Sequence, residues 1–191
     1  SDLEPRGARR MMPIVNRPDV KVPWTVELDV PPGMPAYGNA PERSRTRLAN
    51  GRDRVAFDPT APLPSYLFAV AVGPFVEVPV PNAPRPTRFL LPADHAGKVA
   101  AAVAVLPEII RAAEQFVGMP LPYPKLDFVG VPDFHGSAME NPGLVTFDVS
   151  ALAPTGDGTM PPREPISQHV GIILAHEVAH LWFGDLATPR D

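Results

Sequence analysis

From Trp24 to Val30 apolar and polar residues alternate with a period of two, the pattern of a half-buried strand. Pro31-Pro32-Gly33 closes it with a turn. Arg45 to Phe57 predicts a hairpin around Asn50-Gly51. Tyr66 to Val72 is a continuous apolar run, which predicts a fully buried strand. Gly73-Pro74 breaks that run, and Phe75 to Val80 continues extended. Pro81 to Pro86 reads as a linker or long turn, and Thr87 to Leu91 as a strand.

The period then changes. Asp94 is placed as a helix N-cap. From Ala96 to Val117 the apolar residues fall at helical spacing: Val99, Val103, Leu106, Ile110, Ala113 and Phe116. Pro107 predicts a kink or a split, and Gly118 a stop. Lys125 to Val131 and Leu144 to Val149 read as strands, and residues 151–163 as a loop. Pro165 suits the first turn of a last helix that runs to about Phe183, with Gly184 as its stop. That helix is apolar nearly all round, so it is expected in the core. The fold class is therefore α+β, β-rich at first and mixed afterwards, with the change near residues 85–93.

Composition narrows the function. The formal net charge is −4, and no basic run is present, which argues against a nucleic-acid surface. No apolar run reaches the length of a membrane span. The 28 prolines are spread through the chain with apolar strands between them, which implies many short strands and turns rather than disorder. There are no cysteines, so any metal site must use histidine and carboxylate ligands. Residues 1–19 are irregular and basic, with Arg6, Arg9, Arg10 and Arg17 among prolines. No signal peptide is visible in this stretch, and the compartment is left open, with the cytoplasm favoured.

The chemistry is concentrated in the last helix. His176-Glu177-Val178-Ala179-His180 is H-E-x-x-H. Residues four apart stack on one helix face, so both imidazoles can reach one metal ion. Glu177 is one step round and can take a proton from a zinc-bound water. Three ionisable groups buried on an apolar helix need a reason, and a metal supplies one. The bland alternative is a core helix that happens to carry two histidines. A second stretch, Asp133 to Gly143, follows a strand. Taken alone, its Asn141-Pro142-Gly143 is a turn.

Together the two stretches carry a resemblance. Ser137-Ala138-Met139-Glu140-Asn141 resembles the G-A-M-E-N motif of the zinc aminopeptidases of the gluzincin clan, the family of aminopeptidase N, puromycin-sensitive aminopeptidase and the leukotriene hydrolase/aminopeptidase. His176 to Asp185, H-E-V-A-H-L-W-F-G-D, resembles the family's H-E-L-A-H-Q-W-F-G-N. Glu4 to Arg10, followed by Arg17-Pro18-Asp19, resembles its E-P-x-x-A-R-R…E-P-D. The resemblance runs over essentially the whole chain.

It implies the C-terminal part of a β-rich N-terminal domain over residues 1–92 and the first part of a thermolysin-like catalytic domain over 93–191. It implies Zn2+ held by His176 and His180, Glu177 as general base, and peptide substrates with a free N-terminus. Glu140, helped by Glu4, would bind the α-ammonium group. Ser137, Ala138 and Met139 would pair with the peptide like an added strand, with Asn141 completing the substrate-binding motif. The family's third ligand, a glutamate, and its transition-state tyrosine would fall beyond Asp191. The chain is therefore expected to be a fragment, inactive alone.

Three departures stand out. Ser137 replaces the family glycine, Asp2 stands where a glutamine is frequent, and Pro13-Ile14-Val15-Asn16 replaces P-C-F-D. Among other candidates, His169 lies about 10 Å along the axis from His176 and reads as a polar helix residue. His135 reads as solvent-facing. Asp185 reads as a partner of a histidine or as a solvated helix end. Trp182-Phe183 reads as core packing. The competing functions are a thermolysin-like endopeptidase, an epoxide hydrolase of the leukotriene type, and a non-catalytic binding module or degenerate enzyme.

Overall fold

A computed structural model describes residues 13–15, 17–134, 136–152 and 166–188. Glu4, Asp2, His135, Pro165 and the loop placed at 151–163, apart from its first two residues, lie outside that range.

The element that positions everything else is a five-stranded sheet. Its order is β6 (Val76–Pro79), β7 (Thr87–Leu91), β8 (Leu126–Val131), β10 (Leu144–Asp148) and β9 (Ala138–Met139). The three central strands are parallel, and the two edges run antiparallel to their neighbours. Central parallel strands bury both faces, and the side chains sort with a period of two. Phe89, Leu91, Leu126, Phe128, Val145 and Phe147 face a cluster with the helices. Leu90, Val129 and Leu144 face the other way, onto Tyr37. The composition change near residues 85–93 falls inside this sheet, because strands on both sides of it are paired.

Two helices cover the first face. α1 (Ala100–Val117) buries Ala102, Leu106 and Ile110. α3 (Ile166–His180) buries Val170, Leu174 and Val178 in the same cluster. Pro107 neither splits nor ends α1, and is itself buried within it. Asp94 is not the cap. Its carboxylate lies 2.9 Å from His95 Nδ1, and a short 3-10 turn, Ala96–Lys98, intervenes before α1. Gly118 ends α1 in the left-handed region at φ 73°. The four-residue α2 (Val149–Leu152) follows β10 directly.

α3 differs from expectation in one respect. It is in the core along one face only, since Ile172, Ala175 and His176 lie on an exposed face. Among the described residues nothing covers that side. Of the three ionisable groups of H-E-x-x-H, only Glu177 is buried.

The remaining strands form two small sheets. β4 (Asp53–Phe57) lies between β1 (Glu27–Val30) and β3 (Glu42–Arg47), with Gly51 at φ 79° in the predicted hairpin turn. β2 (Ala36–Gly38) pairs with β5 (Val70–Val72). The Tyr66 to Val72 run is therefore not one strand. Pro64 starts a 3-10 turn over Ser65–Leu67, and only the last three residues pair. The Ala69 amide is drawn to the Asn39 side chain instead, at 2.8 Å.

Candidate metal and peptide site

Helical spacing brings the His176 and His180 rings together. Their Nε2 atoms are 3.0 Å apart, with the ring planes at 80°. His180 Nδ1 lies 3.1 Å from the carbonyl oxygen of Phe183. A carbonyl can only accept, so Nδ1 carries the proton and donates it. With Nδ1 as donor, His180 presents its other ring nitrogen, Nε2, to His176 Nε2. A bound cation suits that pair, and the backbone contact fixes the tautomer such a ligand needs.

Two carboxylates flank the histidines. Glu177 is 6% exposed, and its Oε2 has no hydrogen-bond partner among the described residues. Burial, and then the charge of Glu140, push its carboxyl up to about 7. An unpaired carboxyl at that value is set to exchange protons near neutrality. Glu140 Oε1 lies 3.7 Å from His180 Nδ1. A third acid, Asp185, is 1% exposed, with neither carboxylate oxygen bonded among the described residues. Burial comes first, then Glu140, in raising it to about 9, against the attraction of Lys21. Asp185 is thus neither bonded to a histidine nor solvated, unlike both sequence readings. The pocket concentrates carboxyl groups, an environment that favours a cation or an ammonium group.

Glu140 follows β9, the last strand of the sheet, whose outer edge has no strand partner among the described residues. The Ser137 carbonyl accepts from the Asp148 amide at 3.0 Å, and Met139 pairs with Thr146. A turn follows, closed by the Leu144 amide donating to the Asn141 carbonyl at 3.0 Å, with Gly143 at φ 72°. Asn141 is buried, its amide nitrogen 3.4 Å from Leu67 O and its oxygen accepting from Thr146 Oγ1 at 3.1 Å. Its side chain holds the turn and does not face the open edge.

The turn is clamped from outside. Asn39 Nδ2 donates to Pro142 O at 2.9 Å and to Leu67 O at 3.0 Å. Lys125 Nζ donates to Gly143 O at 2.5 Å and to Asp127 at 2.8 Å. Asp127 is also held by Arg88 at 2.9 Å. A Cβ on Gly143 would overlap the Asn39 carbonyl oxygen, so only glycine fits there.

Of the residues singled out by sequence, His176, Glu177, His180 and Glu140 come together, while Ala138 and Met139 form the neighbouring edge strand after Ser137. His169 is exposed on the same helix. Trp182 is core, whereas Phe183 is 56% exposed. Among the described residues no group of three histidine, cysteine or carboxylate side chains is complete. Lys21, Asn39 and Lys125 had no local signal, because each acts on backbone carbonyls far away in sequence.

Residues 1–67 match the Peptidase M1 N-terminal domain, and residues 101–191 match the Peptidase family M1 domain. The chain is 33% identical over 190 residues to Aminopeptidase 2 of Candida albicans, covering 98% of this chain and 20% of that protein. It is 34% identical over 192 residues to Aminopeptidase M1-A of Oryza sativa subsp. japonica, covering 98% of this chain and 21% of the relative. Glutamyl aminopeptidase of Homo sapiens is 29% identical over 192 residues, with 98% of this chain and 19% of the relative covered. The chain thus spans about a fifth of the length of these relatives.

Proposed function

Starting from the membership of this chain in peptidase family M1, we propose that the protein carrying it is a zinc-dependent aminopeptidase. The observation that carries the reading is the convergence of two imidazole nitrogens 3.0 Å apart beside a buried Glu177, whose Oε2 has no partner among the described residues, and the carboxylate of Glu140. His176 and His180 would hold the zinc. When bound, zinc supplies an electrophile for the scissile carbonyl and acidifies a water.

The chain's own residues do the rest. Glu177 accepts the water proton and returns it to the leaving amine, a role supported by its place next to His176 on the same helix turn. Glu140 receives the substrate's α-ammonium group, which fixes cleavage one residue from the terminus. The open edge of β9 takes the extended peptide backbone as an added strand. Asn141 works by shaping the turn after Glu140. We read residues 93–191 as part of a thermolysin-like catalytic domain and residues 1–92 as part of the β-rich domain before it, with β6 and β7 of the earlier segment paired into the sheet of the later one. The 191-residue chain by itself, with two histidine ligands, is expected to turn over no substrate.

The test is hydrolysis of aminoacyl and N-acetyl-aminoacyl peptides by the full-length protein loaded with zinc. Free N-termini are expected to be cleaved and blocked ones spared. Glu177→Gln is expected to lower kcat by about 10²–10⁴-fold, and Glu140→Ala to raise KM for free N-termini. Turnover retained by Glu177→Gln would defeat the mechanism. Equal cleavage of blocked peptides would make the protein an endopeptidase.

A further inference from the structure

The turn after α3 is held by a residue from the other end of the chain. Lys21 Nζ donates to the carbonyl of Asp185 at 2.8 Å and to that of Leu186 at 2.9 Å. Within that turn the Ala187 amide donates to Trp182 O at 3.0 Å, the Gly184 amide to Ala187 O at 3.1 Å, and the Asp185 amide to His180 O at 3.1 Å. The same turn presents Phe183 O to His180 Nδ1. Carbonyls past a helix C-terminus have no partner inside the helix and attract a cation. Lys21 fills that need at the point where the backbone orients a metal-binding histidine.

We infer that Lys21 is a positioning residue for the metal site: by bridging the Asp185 and Leu186 carbonyls it locks the turn whose Phe183 carbonyl sets the tautomer and direction of His180. The inference rests on the reading of His176 and His180 as zinc ligands. It assigns the β-rich N-terminal part a role in metal retention. A Met side chain at position 21 fills similar space but cannot donate, so the part-buried Asp185 carbonyl and the more exposed Leu186 carbonyl both lose the donor that ties them together. The turn then relaxes and His180 loses its anchor.

The experiment is a zinc competition titration against a chromogenic chelator, on the full-length protein as wild type, Lys21→Met, Lys21→Gln, Lys21→Arg and His180→Ala. Lys21→Met and Lys21→Gln are expected to bind zinc about 10–100-fold more weakly, the usual loss when a group supporting a ligand is removed. Lys21→Arg, which keeps the charge and two donors, is expected to restore most of the affinity. In cobalt-loaded protein the visible bands should shift in Lys21→Met and return in Lys21→Arg. Wild-type zinc affinity in either neutral variant would overturn the inference, as would equal loss in Lys21→Arg and Lys21→Met. If wild type and His180→Ala bind zinc equally poorly, the metal reading itself fails, which is a different result.

Discussion

Gly143→Ala tests how the turn after Glu140 is built. At φ 72° an alanine sits in the left-handed region, which costs about 1–2 kcal/mol. Its Cβ would also overlap the Asn39 carbonyl oxygen and lie 3.2 Å from that carbonyl carbon. Relief requires the Asn39 segment to move. Asn39 makes three buried hydrogen bonds, to Leu67 O, to Pro142 O and from the Ala69 amide, each contributing about 0.5–1.5 kcal/mol. The expected total is about 3–6 kcal/mol, obtained by adding the backbone cost to the loss of those three bonds. Gly118 provides the control, because it has nearly the same φ, 73°, with nothing within 4 Å of an added Cβ. Gly118→Ala should show the backbone cost alone. Urea unfolding of both variants at neutral pH, with m-values compared, gives the two numbers. If Gly143→Ala falls within about 1 kcal/mol of Gly118→Ala, the clamp is not tight and the reasoning is refuted.

Three further outcomes follow from the same geometry. Asp185 is raised from 3.8 to about 9, so the folded state keeps a proton that the unfolded chain releases. The Asp185 contribution to stability in chelator is then fully present below pH 4 and is lost toward pH 9, by up to about 1.4 kcal/mol per pH unit. Asp185→Asn should flatten the curve most between pH 7 and 9, above the range in which Glu177 also releases its proton, and parallel stability curves for variant and wild type would contradict it. Gly184→Ala places a Cβ 3.2 Å from His180 Nδ1 at φ 129°. It should weaken zinc binding and perturb the His180 ring 15N shifts more than those of His176, a contrast NMR can read. Lys125→Met leaves Asp127, 1% exposed, with Arg88 as its main cation. A loss near 3 kcal/mol is expected, and thermal unfolding showing no change would count against a tight Lys125–Gly143 strut.

Much of the chemistry was legible in the sequence because it depends on local spacing. The four-residue step from His176 to His180 needs only a helix to converge the rings. Asn50-Gly51 needs only its own dihedral preference to turn a hairpin, and the strands of the central sheet other than β9 announced themselves by period or apolar content. The apolar run at Tyr66 to Val72 misled in conformation and in burial, since only Leu67 and Phe68 are buried and Val72 is 44% exposed. Pro64 and the reach of Asn39 decided that it would turn before pairing.

What tertiary structure alone decided is which polar groups lose water and which distant partners they meet. Nothing near Asp185 in sequence states that its carboxyl is buried without a partner among the described residues, which raises its proton affinity. Nothing near Lys21, Asn39 or Lys125 states that each ends on a carbonyl of a functional turn. Residue type and spacing along the chain set what each side chain is able to do. Desolvation and long-range hydrogen bonding depend on segments brought together from far apart, so only the folded chain sets how strongly each group does it.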